Sequence, residues 1–220
     1  MARISRIVVP GYPHQITQRG VRSIDVFNSD EDRLDYLLFL SEEANRFGLD
    51  ILAWCLMTNH VHFIAVPHDE TSLARGFGEA HRRYTRMKNL AQGVRGYLFQ
   101  GRFSSSVLDE NHLLAAVRYV ELNPVRACLV KHAWEYTWSS ASFHTGRRVS
   151  DPLVIDRTLI GLIRDWEGFL LEGTGDEETA RLRMAAKTGF PAGDDAFVAK
   201  IANLTGRDLN KGKPGRPRKQ

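Results

Sequence analysis

Residues 52–67, LAWCLMTNHVHFIAVP, decide how this chain folds. Two apolar runs meet at Thr58-Asn59, a polar pair suited to a tight turn, so residues 51–57 and 60–66 read as the strands of a hairpin. Side chains alternate faces along a strand, which puts His60 and His62 on one face and Val61 and Phe63 on the other. Two imidazoles side by side on a strand form a platform for a metal ion. The competing reading is a structural histidine pair satisfied by local hydrogen bonds.

Upstream of the hairpin, HQITQRG (residues 14–20) reads as a first strand ending in a basic turn. Ser29 is placed to cap a helix, with Asp30, Glu31 and Asp32 at its positive end. Leu34, Leu37, Leu38, Phe39, Leu40, Ala44 and Phe47 continue it at helical spacing, and Gly48 is placed to end it. Downstream, Thr71 is expected to cap a second helix with Leu73, Phe77, Ala80, Tyr84 and Met87 inside. Its outer side would carry Arg82, Arg83, Arg86 and Lys88. A loop with Gly93, Gly96 and Gly101 leads to a short strand over 103–108. Asp109 then caps a third helix, expected to run to Asn123 and stop at Pro124. Leu113, Ala116, Val117 and Val120 form its apolar stripe, and Tyr119 and Asn123 share one flank, four residues apart.

Strand, helix, hairpin, helix, strand, helix describes an α+β chain, a ferredoxin-like or RRM-like antiparallel sheet with helices packed on it. After residue 146 the composition changes, and 156–171, 177–187 and 194–204 read as further helices. The expected organisation is a core over 1–146, a C-terminal helical appendage over 147–210, and a basic tail over 211–220. The tail holds too little apolar content to fold alone.

The 220 residues carry a net charge of +4, and the charge is segregated. Between Ala80 and Leu108 lie Arg82, Arg83, Arg86, Lys88, Arg95 and Arg102 without one acid, and the tail repeats the pattern. Such clustering suits a polyanion, with nucleic acid the default partner; the alternative is a solvated face plus a solubilising tail. No apolar run approaches the ~20 residues of a membrane span, and the basic start lacks a signal-peptide core. Cys55 and Cys128, each in an apolar segment, are expected to be buried free thiols in a reducing cytoplasm.

If the third helix packs across the histidine face, it brings the phenol of Tyr119 and the amide oxygen of Asn123 to His60 and His62. Two imidazoles and one oxygen leave metal positions open, as in a Lewis-acid site acting on phosphate, and suit Mn²⁺ or Mg²⁺. A phenol with pKa about 10 is a poor nucleophile unless nearby cations favour the phenolate. A tyrosine at the edge of an apolar stripe is also a common packing residue.

NHVHF (59–63), YLFQGRF (97–103), RYVELNPVRA (118–127), WSSASFHTG (138–146) and KPGRPRK (213–219) resemble the single-tyrosine HUH transposases, and among them the REP-associated tyrosine transposases of bacteria. The resemblance implies that His60 and His62 are metal ligands, Asn123 the third ligand, and Tyr119 the nucleophile. It implies a transposase that cleaves and rejoins single-stranded DNA beside REP-like hairpins through a 5′-phosphotyrosine, using Mg²⁺ or Mn²⁺. Such an enzyme would be cytoplasmic and nucleoid-associated, with a monomer favoured over a dimer. The chain departs from the family pattern at Thr58, Gln18-Arg19 and Ser104.

For DNA contact, Arg82, Arg83, Arg86 and Lys88 are expected to track phosphates, with Arg19 and Arg102 at the mouth of the site. Arg216, Arg218 and Lys219 lie in or beside a PGRPR segment that resembles a minor-groove arm. Phe99 and Phe103 suit base stacking or core packing equally, whereas Trp54 reads as core. Two rival functions remain: a non-catalytic ferredoxin-like nucleic-acid-binding protein, and a metal phosphodiesterase that uses water.

Overall fold

The structure, a computed structural model, describes residues 6–155 and 158–209. The α+β architecture expected from the sequence is present. Strands β1 (His14–Arg19), β2 (Leu49–Met57), β3 (His60–Pro67) and β4 (Ser104–Val107) form one antiparallel sheet in the order β2-β3-β1-β4. The hairpin turn falls at Thr58-Asn59, whose carbonyls are taken by the backbone N–H groups of Gly20, Val26 and Phe27.

Helices α1 (Asp30–Phe47) and α2 (Ser72–Gln92) cover one face, packing Tyr36, Leu40, Phe77 and Tyr84 onto Ile16, Trp54, Val61 and Phe63. Ser29 caps α1 through its hydroxyl and Gly48 ends it in the left-handed region, φ 64°, as its lack of a Cβ allows. Gly76 lets α2 lie close on the sheet, since a Cβ there would collide with Leu49 Cδ1. Thr71 does not cap α2. Its hydroxyl donates instead to Asp69, whose carboxylate takes the N–H groups of Thr71 and Ser72. Phe99 and Phe103 are buried in this core with Trp54, so packing uses up the faces that bases would need.

Helix α3 (Glu110–Glu121) covers the other face, setting Ala116, Val117, Tyr119 and Val120 against Ala53, Cys55 and Ile64. Asp109 caps it by accepting from His112 N–H. Pro124 does not simply stop the chain's helical course. It opens a new short turn, α4 (Asn123–Arg126), at the position where a missing N–H costs nothing. Four further short or medium helices follow as α5 (Ala141–His144), α6 (Thr158–Leu162), α7 (Trp166–Leu171) and α8 (Asp176–Thr188), before α9 (Asp195–Thr205). The single helix expected over 156–171 is thus two pieces within the described residues, α6 and α7. Helix α8 lies against β4 and α3, burying Leu182 and Ala185, while Ile201 of α9 packs on Ile7, Val9 and Val107. Cys55 is buried as expected, but Cys128 is exposed: it sits past α4 at φ 57°, on a turn rather than in the core.

The segment after α4 closes the β2 edge of the sheet. Leu56 N–H donates to Trp138 O, Ser140 N–H to Trp54 O, and the Tyr136 hydroxyl to Leu56 O. The same segment carries Ser140 and His144, both of which hydrogen-bond Glu121 Oε1, at 2.6 and 2.5 Å, in a fully buried cluster. The WSSASFHTG stretch is therefore the strap over that edge. The other edge is touched by the chain before α9, where Ala192 N–H donates to Val107 O.

Two buried histidines of the core set an acid sensitivity. His14 accepts from Val9 N–H through Nε2 and binds Tyr12 O through Nδ1, and burial takes its pKa from 6.5 to about 4. His81 binds the Tyr36 hydroxyl at 2.9 Å, and burial takes its pKa to about 3. Both folded values lie below the unfolded one, so this contribution is intact above pH 6.5. As pH falls below 6.5, the unfolded chain takes up protons that the folded one refuses. Each histidine then lowers stability by about 1.4 kcal/mol per pH unit until its folded value is reached. Urea midpoints at pH 7 and pH 5 should differ accordingly, and equal midpoints would contradict this account.

Candidate active site

The register of the sheet builds the site. On one face, His60 stands between Arg19 on β1 and Met57 on β2, and His62 between Thr17 and Cys55. The two imidazoles lie 4.9 Å apart, centre to centre, nearly perpendicular. Their Nδ1 atoms are engaged: His60 with Asn59 Oδ1 at 2.6 Å, His62 with Thr17 Oγ1 at 3.1 Å. An Nδ1–H donating to each oxygen leaves the lone pair on Nε2, as in ligating histidines oriented by a second partner. Burial, helped by Arg19, lowers His60 to a pKa of about 4. Burial also takes His62 well below its usual value, with His60 and three arginines adding to the effect. Both rings are therefore neutral near pH 7, the form that binds metal.

Beside them, burial pushes the Cys55 thiol far above the usual range. Among the described residues no cluster of three His, Cys, Asp or Glu side chains converges. Two neutral imidazoles without a third converging His, Cys, Asp or Glu among the described residues fit an open divalent site for oxygen-rich substrates better than a closed structural one.

Helix α3 delivers Tyr119 to this face. Its ring meets His62 edge-on at 5.9 Å and is only 6% exposed. The Arg126 guanidinium lies over the ring at 4.1 Å and donates to Tyr119 O at 2.6 Å. Arg183 of α8 points Nε at the phenol oxygen, 3.5 Å away. Asn123 donates its amide nitrogen to Tyr119 O and Val120 O.

The basic residues divide. Arg19 lies beside His60. Arg102, expected at the mouth of the site, lines a cleft of about 860 Å³ along α2 instead, together with Arg86, Arg95 and Tyr97. Lys88 does not belong to an outer stripe: it is buried and bonded to Asp32 at 2.7 Å and to Asn28. Arg83 is held by Glu42 and Glu43, and Arg82 by Glu79. The acids of α1, which the α2 sequence does not show, answer the charges of Arg83 and Lys88, and Glu79 of α2 itself answers Arg82. Arg86 and Arg95 are exposed. Arg216, Arg218 and Lys219 lie outside the described residues.

Thr17, Arg126 and Arg183 join the site without having stood out in the sequence. Arg126 was within reach of it, standing two helical turns beyond Tyr119. Arg183 carries no sequence signal linking it to Tyr119.

Residues 14–123 match the family described as Transposase IS200 like. A solved REP-associated tyrosine transposase bound to a REP hairpin shares the fold at 17% identity and a TM-score of 0.55, over 71% of this chain and 92% of that one. A candidate transposase from Deinococcus radiodurans R1 is 19% identical over 55% of this chain and 96% of that one. Its TM-score of 0.38 is too low to bear on the fold. No curated protein sequence matches this chain.

Proposed function

Because the chain belongs to the IS200-like transposase family, we propose that it cleaves and rejoins single-stranded DNA beside hairpins, with Tyr119 as nucleophile. The observation that carries this reading is the phenol of Tyr119, brought edge-on to His62 on the face that also bears His60. His60 and His62, through Nε2, and Asn123, through Oδ1, would hold Mg²⁺ or Mn²⁺. That ion, when bound, polarises the phosphate and neutralises its charge.

The chain's own residues supply the remainder. Arg126 fixes the Tyr119 ring and backbone. As the tyrosyl O–P bond forms, the P–O3′ bond breaks. The phenol loses its proton to solvent and the departing 3′-oxygen gains one. The 5′-phosphate stays on Tyr119 as a diester, so a free 3′-hydroxyl can attack it, restore the phosphodiester and return the phenol without ATP. Water would forfeit that reversal, and a phenol buried against the histidines favours the tyrosine over a hydrolytic route.

DNA contact is assigned to Arg19 beside the site and to Arg86, Arg95 and Arg102 along the α2 cleft, with Arg216, Arg218 and Lys219 as a basic arm. Tyr97, 88% exposed in that cleft, offers a face for an unpaired base. Replacing Arg86 and Arg95 by Ala should reduce the salt slope of DNA affinity by about one unit for each phosphate no longer neutralised. Arg83→Ala should leave the slope unchanged, since its charge is spent on α1; anisotropy titrations at several salt concentrations separate the two. The function itself is tested by incubating labelled hairpin-flanked single strands with protein and Mn²⁺ and resolving the mixture on a denaturing protein gel. A DNA-labelled protein band that disappears with chelator is expected. Cleavage without such a band would instead support the water-using phosphodiesterase, and binding without cleavage the non-catalytic module.

A further inference from the structure

We infer that Arg183 is a catalytic residue, contributed by a helix outside the family-matched stretch, that touches the attacking oxygen of Tyr119 and receives a non-bridging oxygen of the scissile phosphate. This rests on Tyr119 being the nucleophile.

Helix α8 is anchored by Thr179, Leu182 and Ala185, all buried, and Leu182 and Ala185 share one apolar cluster with Tyr119 and Val120. At 100° per residue, Arg183 stands on the flank of that buried stripe. From there its Nε comes to 3.5 Å from the phenol oxygen, while the residue as a whole remains exposed. It is thus a solvent-reaching donor attached to the hydroxyl of a tyrosine that is otherwise buried.

The charge arrangement calls for an anion. Neighbouring arginines are paired: Arg181 with Glu177 and Arg118 with Glu172. Arg183 pairs with no carboxylate among the described residues. Arg126, over the same tyrosine, has a buried Nη1 without a hydrogen-bond partner there. Two guanidiniums converging on one phenol repel each other unless an anion joins them. A phosphodiester attacked by Tyr119 would place its non-bridging oxygens within reach of both. As the O–P bond forms, negative charge gathers on those oxygens, and a fixed guanidinium there favours the transition state over the bound substrate.

The test compares Arg183→Ala with Arg181→Ala, a change on the same helix that removes only a surface pair. The readouts are the rate of DNA–protein adduct formation at saturating hairpin DNA, the half-saturating DNA concentration, and Tm. We expect Arg183→Ala to lower the saturated rate at least about tenfold below that of Arg181→Ala, at similar half-saturation and Tm. A saturated rate equal to that of Arg181→Ala overturns the inference. So does a fall accompanied by an equal fall in Tm, or a change confined to half-saturation, which would make Arg183 a support of the fold or of DNA binding. Should Arg181→Ala and the unaltered protein both form no adduct, the nucleophile assignment fails first, and the role of Arg183 with it.

Discussion

Replacing Tyr119 by Phe is expected to abolish the covalent DNA–protein product and strand cleavage, a loss of at least about a thousandfold, while hairpin binding stays within a few-fold. The substitution removes one oxygen and little else. The ring keeps its edge on His62 and its place beneath Arg126, and the backbone carbonyl still accepts from Arg126 and Asn123. The phenol oxygen meets Arg183 at 3.5 Å, the long end of hydrogen-bonding range, so its removal should cost under about 1 kcal/mol of stability. Activity and stability are therefore separable in this variant, which is what makes it decisive. Cleavage that survives in Tyr119→Phe would identify water as the nucleophile. The readout is a denaturing gel of labelled DNA beside an anisotropy titration.

The largest stability effect is expected two residues further along the same helix. Glu121 is fully buried, and its Oε1 accepts from Ser140 Oγ and from His144 Nδ1. His144 in turn stacks on Trp166 at 4.5 Å. Glu121→Ala would leave a buried hydroxyl and a buried imidazole without their shared acceptor and open a void beneath the strap. Removing one partner of such a cluster costs about 3–5 kcal/mol, or on the order of 10 °C in Tm for a chain of this size. Glu121→Gln keeps a carbonyl oxygen that both donors can still share and should lose less. Urea unfolding of the metal-free protein measures both, and a loss under about 1 kcal/mol for the alanine variant would show the cluster to be dispensable.

Local signals in the sequence carried the fold. The hairpin, the shared face of His60 and His62, and the caps at Ser29 and Asp109 all follow from neighbours within four residues, and the structure has each of them. What escaped the sequence was pairing through space. Nothing in the α2 sequence shows that Asp32, Glu42 and Glu43 of α1 lie opposite Lys88 and Arg83, so a run of basic residues reads as free charge. Likewise Thr17 reaches His62 across a strand pair, and Arg183 reaches Tyr119 from a helix far along the chain. Pro124 misleads for a different reason: the first turn of a new helix tolerates proline as readily as a helix end does.

The strap laid along β2 has a consequence for how copies of this chain can meet. An uncovered outer strand offers its amides and carbonyls to any passing strand, and sheets readily extend between molecules in that way. Here the offer is already taken by Trp138 and Ser140 of the same chain. A second molecule could pair with β2 at Trp54 and Leu56 only by prising that segment loose, stripping Glu121 of both its donors as it did so. Intermolecular growth along this edge thus carries a built-in energetic barrier, set by the same buried carboxylate that holds the strap in place.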